Sequence, residues 1–128
     1  MASLVTNNGL SEFVSALVAT DAVKYLGWGT GSGQGVASTD LATPANESRT
    51  AGTDTAETTN TTGDTFQVAG TITAGGTRAI TEVGVFDAAG SGNPPSGGNL
   101  AIYGDFSVIN LASGDSITFT IKAVLDQA

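Results

Sequence analysis

The clearest alternation in the chain lies near its end. Over residues 116–125, Ile117, Phe119 and Ile121 alternate with Thr118, Thr120 and Lys122, which predicts a strand with one buried and one wet face. Upstream, residues 65–73 and 78–87 are rich in β-branched and aromatic residues and flank Ala74-Gly75-Gly76-Thr77. A Gly-Gly pair between β-prone runs reads as a hairpin turn, because glycine supplies positive φ. In the second run Ala79, Thr81, Val83 and Val85 fall on one face, and Ile80, Glu82, Gly84 and Phe86 on the other. Both faces are apolar enough to be covered, so this strand is expected at the centre of its sheet. Glu82 is the odd residue, expected at a sheet margin or paired with a cation such as Arg78. Residues 23–28 and 100–108 supply two further strands, and residues 109–115 a short connection that turns at Ser113-Gly114-Asp115.

One segment has helical periodicity instead. Over residues 10–19, Leu10, Phe13, Val14 and Leu17 follow the i, i+3, i+4, i+7 rule, with Asn7 or Asn8 as candidate caps. The stripe suits docking on the chain's own core or on another subunit. Between the first strand and the Gly-Gly turn, residues 37–63 are nearly all Thr, Ala, Ser, Asp, Glu and Asn, with Leu41 the one large apolar residue. Such a stretch cannot offset its ordering entropy by burial, so it is expected as a mobile loop or an extended arm lying on something else. Within it residues 49–59 suit an edge strand. Pro94-Pro95 inside Gly and Ser marks an exposed loop over residues 89–99. These elements predict an all-β protein, a β-sandwich or small barrel of antiparallel strands with one short N-terminal helix. The division is residues 1–22 as an N-terminal segment and 23–128 as a β-domain carrying the polar arm at 37–63.

Composition narrows the function. The 128 residues hold 12 acids and four scattered cations, Lys24, Arg49, Arg78 and Lys122, for a net charge of −8. Nucleic-acid binding needs clustered cations, and an acidic membrane surface repels such a chain, so neither partner is expected. The N-terminus lacks the basic flank and apolar run of a signal peptide, which implies synthesis in the cytosol. With no histidine and no cysteine, a Ser-His-Asp triad, a Cys nucleophile and a His/Cys zinc site are excluded. The acids Glu82, Asp87, Asp105 and Asp115 are candidates for paired-carboxylate chemistry. Most stand beside turns, where acids cap backbone groups. No D-x-D-x-D-G calcium loop occurs. The glycines of Gly27-Trp28-Gly29-Thr30-Gly31-Ser32-Gly33-Gln34-Gly35 lack phosphate-loop spacing and read as a flexible turn. No enzymatic activity and no cofactor are expected.

From the first strand onward the order of features resembles a group of small tailed-bacteriophage virion proteins, found as head decoration (cement) proteins or as tail-fibre and tail-tip modules. The marks are Tyr25-Leu26-Gly27-Trp28-Gly29-Thr30-Gly31, Asp40-Leu41 with Glu47 and Arg49, and Ala69-Gly70-Thr71-Ile72. Ile80-Thr81-Glu82-Val83-Gly84-Val85-Phe86-Asp87-Ala88 and Ser113-Gly114-Asp115-Ser116-Ile117-Thr118-Phe119 complete them. Together they span residues 23–125, with the helix and the insertion at 93–98 outside the pattern. The resemblance implies a structural protein assembled in the host cytoplasm and carried on the virion. On the capsid surface it would bind the major capsid protein as a homotrimer, whose several weak contacts add through multivalency. Leu10, Phe13, Leu17, Trp28, Leu41, Arg49 and Tyr103 are the candidate partner-interface residues. The alternative is an adhesion module that holds a host glycan through Trp28, Tyr103 and the Gly-rich loops.

Overall fold

The computed structural model describes residues 2–126. Met1, Gln127 and Ala128, the outermost residues of the two expected segments, lie outside the described residues. Thr6 opens the helix, one residue before the expected caps. Its backbone is extended, and its hydroxyl accepts from the Gly9 N–H at 3.1 Å, satisfying a donor of the first turn. Helix α1 (Asn7–Thr20) ends at Asp21, which sits in the left-handed region at φ 53° and returns its N–H to the Val18 carbonyl. The predicted stripe splits in two. Leu10 and Val14 are buried and Val18 packs beside them, so the helix docks on its own domain through an i, i+4, i+8 line. Phe13 and Leu17 face outward.

Seven strands follow: β1 (Tyr25–Gly29), β2 (Thr50–Ala51), β3 (Thr53–Glu57), β4 (Thr65–Thr73), β5 (Arg78–Phe86), β6 (Leu100–Leu111) and β7 (Ser116–Val124). They form two antiparallel sheets, β2-β1-β5-β6 and β3-β4-β7, so the all-β expectation holds and the architecture is a sandwich. Trp28, Phe66, Val68, Ile72, Ile80, Val83, Val85 and Phe119 fill the space between the sheets, with Val14 of α1 closing one part. The Trp28 and Phe119 rings meet edge to face at 6.5 Å between centroids.

Four expectations need correction. First, β4 and β5 are not a hairpin. β4 pairs with β3 and β7, while β5 pairs with β1 and β6, so residues 74–77 cross from one sheet to the other. Neither Gly75 nor Gly76 has positive φ, which is what a tight hairpin turn demands. Ala74 is instead tied to the β6–β7 connection, donating to Asp115 and accepting from Gly114, both at 2.8 Å. Second, the two faces of β5 do not alternate strictly. A register shift between Ile80 and Glu82 turns Ile80 to the core side with Val83 and Val85. Glu82, Gly84 and Phe86 keep the opposite, outer face. Third, β6 extends to Leu111, past the expected end at residue 108.

Fourth, residues 37–63 do not reach away from the domain. Leu41, Ala45 and Arg49 are buried. Leu41 and Arg49 lie over the outer face at Gly84 and Gly27, Pro44 bridges to Gly29 at the edge of β1, Ala45 enters the core, and β2 and β3 then join one sheet each. Hydrogen bonds to a carboxylate beneath the loop, rather than apolar burial along its length, hold it there.

Candidate functional site

Glu82 lies on an interior strand, fully buried, on the outer face of its sheet. Its Oε1 accepts from the Ala42 N–H at 2.9 Å and the Tyr103 hydroxyl at 2.9 Å. Its Oε2 accepts from the Thr43 N–H at 2.8 Å and the Gly31 N–H at 3.1 Å. A buried carboxylate needs this many donors to offset its desolvation. The four bonds draw three separate segments onto one side chain: the Gly-rich loop after β1, the loop at 40–44, and β6. The loops also join one another, with the Thr30 N–H donating to the Thr43 carbonyl and the Thr81 hydroxyl to the Gly31 carbonyl. Gly29 makes the approach feasible, because any side chain there would collide with Glu82 Oε2 and the Thr43 carbonyl. Tyr103 pays for its position in acidity, its phenol pushed up to about 12 by burial and the neighbouring carboxylate.

Arg49 anchors the other end of the same loop. Its side chain is 2% exposed, with the guanidinium carbon 3.5 Å from the centre of the Phe86 ring. Its Nη1 donates to the carbonyls of Ala88 at 3.1 Å and Gly97 at 2.7 Å, which ties down the Pro-rich loop. Burial lowers the guanidinium's pKa from its ordinary value, and Asp40 and Asp87 pull it back. Between the two anchors, Glu47 accepts from the Trp28 indole at 3.0 Å and from Arg78 Nη2 at 2.8 Å. Arg78 thus pairs with Glu47 and not with Glu82, and Glu82 stands in mid-sheet rather than at a margin. Both sequence-based placements of Glu82 are overturned, because its partners are three backbone amides and the Tyr103 hydroxyl.

A third carboxylate works the same way. Asp64 accepts from the N–H groups of Thr59, Asn60 and Thr61 and from the Thr65 hydroxyl. Those bonds hold its carboxyl well below the usual carboxylate range. Asp87 caps Asn99, Asp115 accepts from the Ala112 N–H, and Asp105 from the Gly33 N–H. The four acids named for paired-carboxylate chemistry therefore each hold backbone. Among the described residues, no group of three acids is placed to hold a metal ion.

Of the seven candidate interface residues, Leu10, Trp28, Leu41 and Arg49 are buried, each at 8% exposure or less. They organise the interior and offer no surface to a partner. Tyr103 is half-buried with its hydroxyl committed to Glu82, while Phe13 and Leu17 are exposed at 54% and 37%. The aromatic platform expected for a glycan is therefore missing at Trp28, which lies in the core. Leu4, Val5, Val36, Val108, Ile109 and Val124, all 40% exposed or more, are further apolar surface residues outside the expected interface set. Ile109 follows Val108 in an apolar pair that continues β6, which is the signal in the sequence for its place on a strand. No protein family's model matches this chain, and no curated protein matches it.

Proposed function

We propose that this chain is a structural protein of a tailed-bacteriophage particle, a head-decoration protein that binds the major capsid protein as an oligomer and reinforces the shell. One observation carries the reading. Glu82, Glu47 and Arg49, three of the residues on which the resemblance rests, form successive anchors that fasten the loops at 29–49 and 88–97 to one sheet. Glu82 and Arg49 are engaged chiefly with backbone and Glu47 with Trp28 and Arg78, which suits a rigid body better than a reactive site. Large apolar side chains also stand at the surface, Leu4, Phe13, Leu17 and Ile109 among them. Such a body binds by repeated weak contacts, which add once a lattice presents matched sites.

The test is direct decoration. Purified protein is mixed with undecorated heads, and bound copies are counted by cryo-electron microscopy and co-sedimentation. Saturable, lattice-ordered density on the head is the expected result. Bare heads, with antibody label confined to tail tips, would overturn the reading in favour of adhesion. Truncation is a poor substitute. Deleting residues 37–63 removes β2, β3 and two donors to Glu82, and deleting 1–20 removes Val14 from the core, so either change attacks the fold itself.

A further inference from the structure

The two sides of the sandwich are finished differently. On one side β2 passes through Gly52 directly into β3, so the chain itself bridges the sheets. On the other side the long edge strands β6 and β7 are joined by the chain only at one end, through the turn at residues 112–115, and among the described residues no ladder joins them along their length. Between these edges the core reaches solvent. Ile102, Phe106, Ile117, Ile121 and Leu125 pack against the interior yet are only partly covered. Ile109 stands opposite the fully buried Ile80, on the same face, but is 40% exposed. Towards α1 the seam opens into a cleft of about 200 Å³ lined by Leu17, Phe66, Ile102 and Leu125, with no charged side chain among its lining residues.

We infer that the seam between β6 and β7 is a self-association surface, occupied by the same seam of a second copy of this chain. This deepens the reading above, whose oligomer it locates. Charge selects the occupant. Two bodies of net charge −8 repel, so copies can meet closely only where charge is absent. The two charged residues of these strands point away from the seam. Asp105 pairs across from Glu82 on the outer face and holds the Gly33 N–H, and Lys122 lies opposite Gln67, out of phase with the inward Val68–Ile121 pair. A basic partner would find carboxylates only at the ends of the strip, at Asp115 and Asp126, whereas a second copy brings a matching apolar strip along its length.

Geometry sets the extent of the contact. Nine residues of β7 span about 30 Å and packed sheets stand about 10 Å apart, so the strip covers about 300 Å². A stable interface takes about 800 Å² from each partner, so the strip is its apolar core. The outer edges of β6 and β7, which no strand pairs among the described residues, and Phe13 beyond Leu17 on α1 supply the rim.

Sedimentation equilibrium of the full chain without heads, from low to high micromolar concentration, tests the inference. Wild type is expected as a concentration-dependent oligomer. Ile109→Glu should shift it to the monomer mass with an unchanged circular-dichroism spectrum, and Val36→Glu, at an exposed loop site, should leave the oligomer intact. A wild type that is monomeric throughout, or an Ile109→Glu protein that still assembles, overturns it. Should Ile109→Glu unfold, hydrogen exchange on wild type decides. Amides of β6 and β7 that gain protection with concentration support the inference, and protection gained only elsewhere refutes it. If wild type is monomeric and Ile109→Glu abolishes head binding, the seam receives capsid protein, which refutes self-association and leaves decoration standing. Oligomers that ignore heads have the opposite meaning.

Discussion

Replacing Glu82 by Gln changes one atom's chemistry at the junction of three segments. A carboxylate accepts at both oxygens, but an amide accepts at one and donates at the other. If the new NH2 group takes the Oε2 position, it faces the N–H groups of Gly31 and Thr43 and leaves both unsatisfied. If it takes the Oε1 position, it faces the Ala42 N–H and the Tyr103 hydroxyl. Tyr103 can rotate its proton away and accept, so only Ala42 is orphaned, and this orientation wins. An orphaned buried N–H costs about 1–3 kcal/mol, and two bonds that lose their charge-assisted character cost about 1 kcal/mol each. Relief from burying a charge offsets part of that sum. The net destabilisation is about 2–4 kcal/mol. For a chain of this size that lowers Tm by about 8–16 °C. Thermal unfolding followed by circular dichroism measures it, with Glu57→Gln at an exposed site as the control expected within about 0.5 kcal/mol of wild type. Hydrogen exchange should show faster opening at Gly31, Ala42 and Thr43 before the sandwich core opens. A Glu82→Gln protein with unchanged Tm and equally protected amides at those three positions would refute the clasp.

Arg49→Lys should cost about 2–3 kcal/mol in chemical denaturation despite keeping the charge, because an ammonium cannot lie flat on Phe86 while reaching two carbonyls. Asp64 is depressed in the fold, so its contribution is complete above the unfolded value near 3.9 and fades as pH falls below it. Asp64→Asn should therefore lower Tm at pH 7 and flatten the acid limb of a Tm-against-pH curve. Asp54 has the opposite sign. Burial and the neighbouring Asp21 raise its pKa, so ionisation weakens the fold, and stability recovers as pH falls from neutral towards about 4. Asp54→Asn should match or exceed wild-type Tm at pH 7 and lose that recovery in the same titration.

How far these features were legible depends on whether the signal was local. Ile117, Phe119 and Ile121 face inward as their alternation requires, and the helix appears where its periodicity lies, because side-chain direction follows from backbone period alone. The buried Leu10 and exposed Phe13 belong to one stripe, and only the position of the sheets decided which of them met the core. Gly75-Gly76 carries the composition of a hairpin, yet it serves a crossover, since pairing partners are chosen by packing across the whole domain.

The sequence by itself determined the β-rich class, the approximate positions of most strands and the absence of histidine and cysteine chemistry. Tertiary structure decided which sheet received β4 and β5, that residues 37–63 fold back, and what became of Glu82. The physical reason is the same each time. Period and residue type are written along the chain, whereas a backbone N–H looks alike at every position. Only the fold brings Gly31, Ala42 and Thr43, distant in sequence from Glu82, to within hydrogen-bonding reach of one carboxylate.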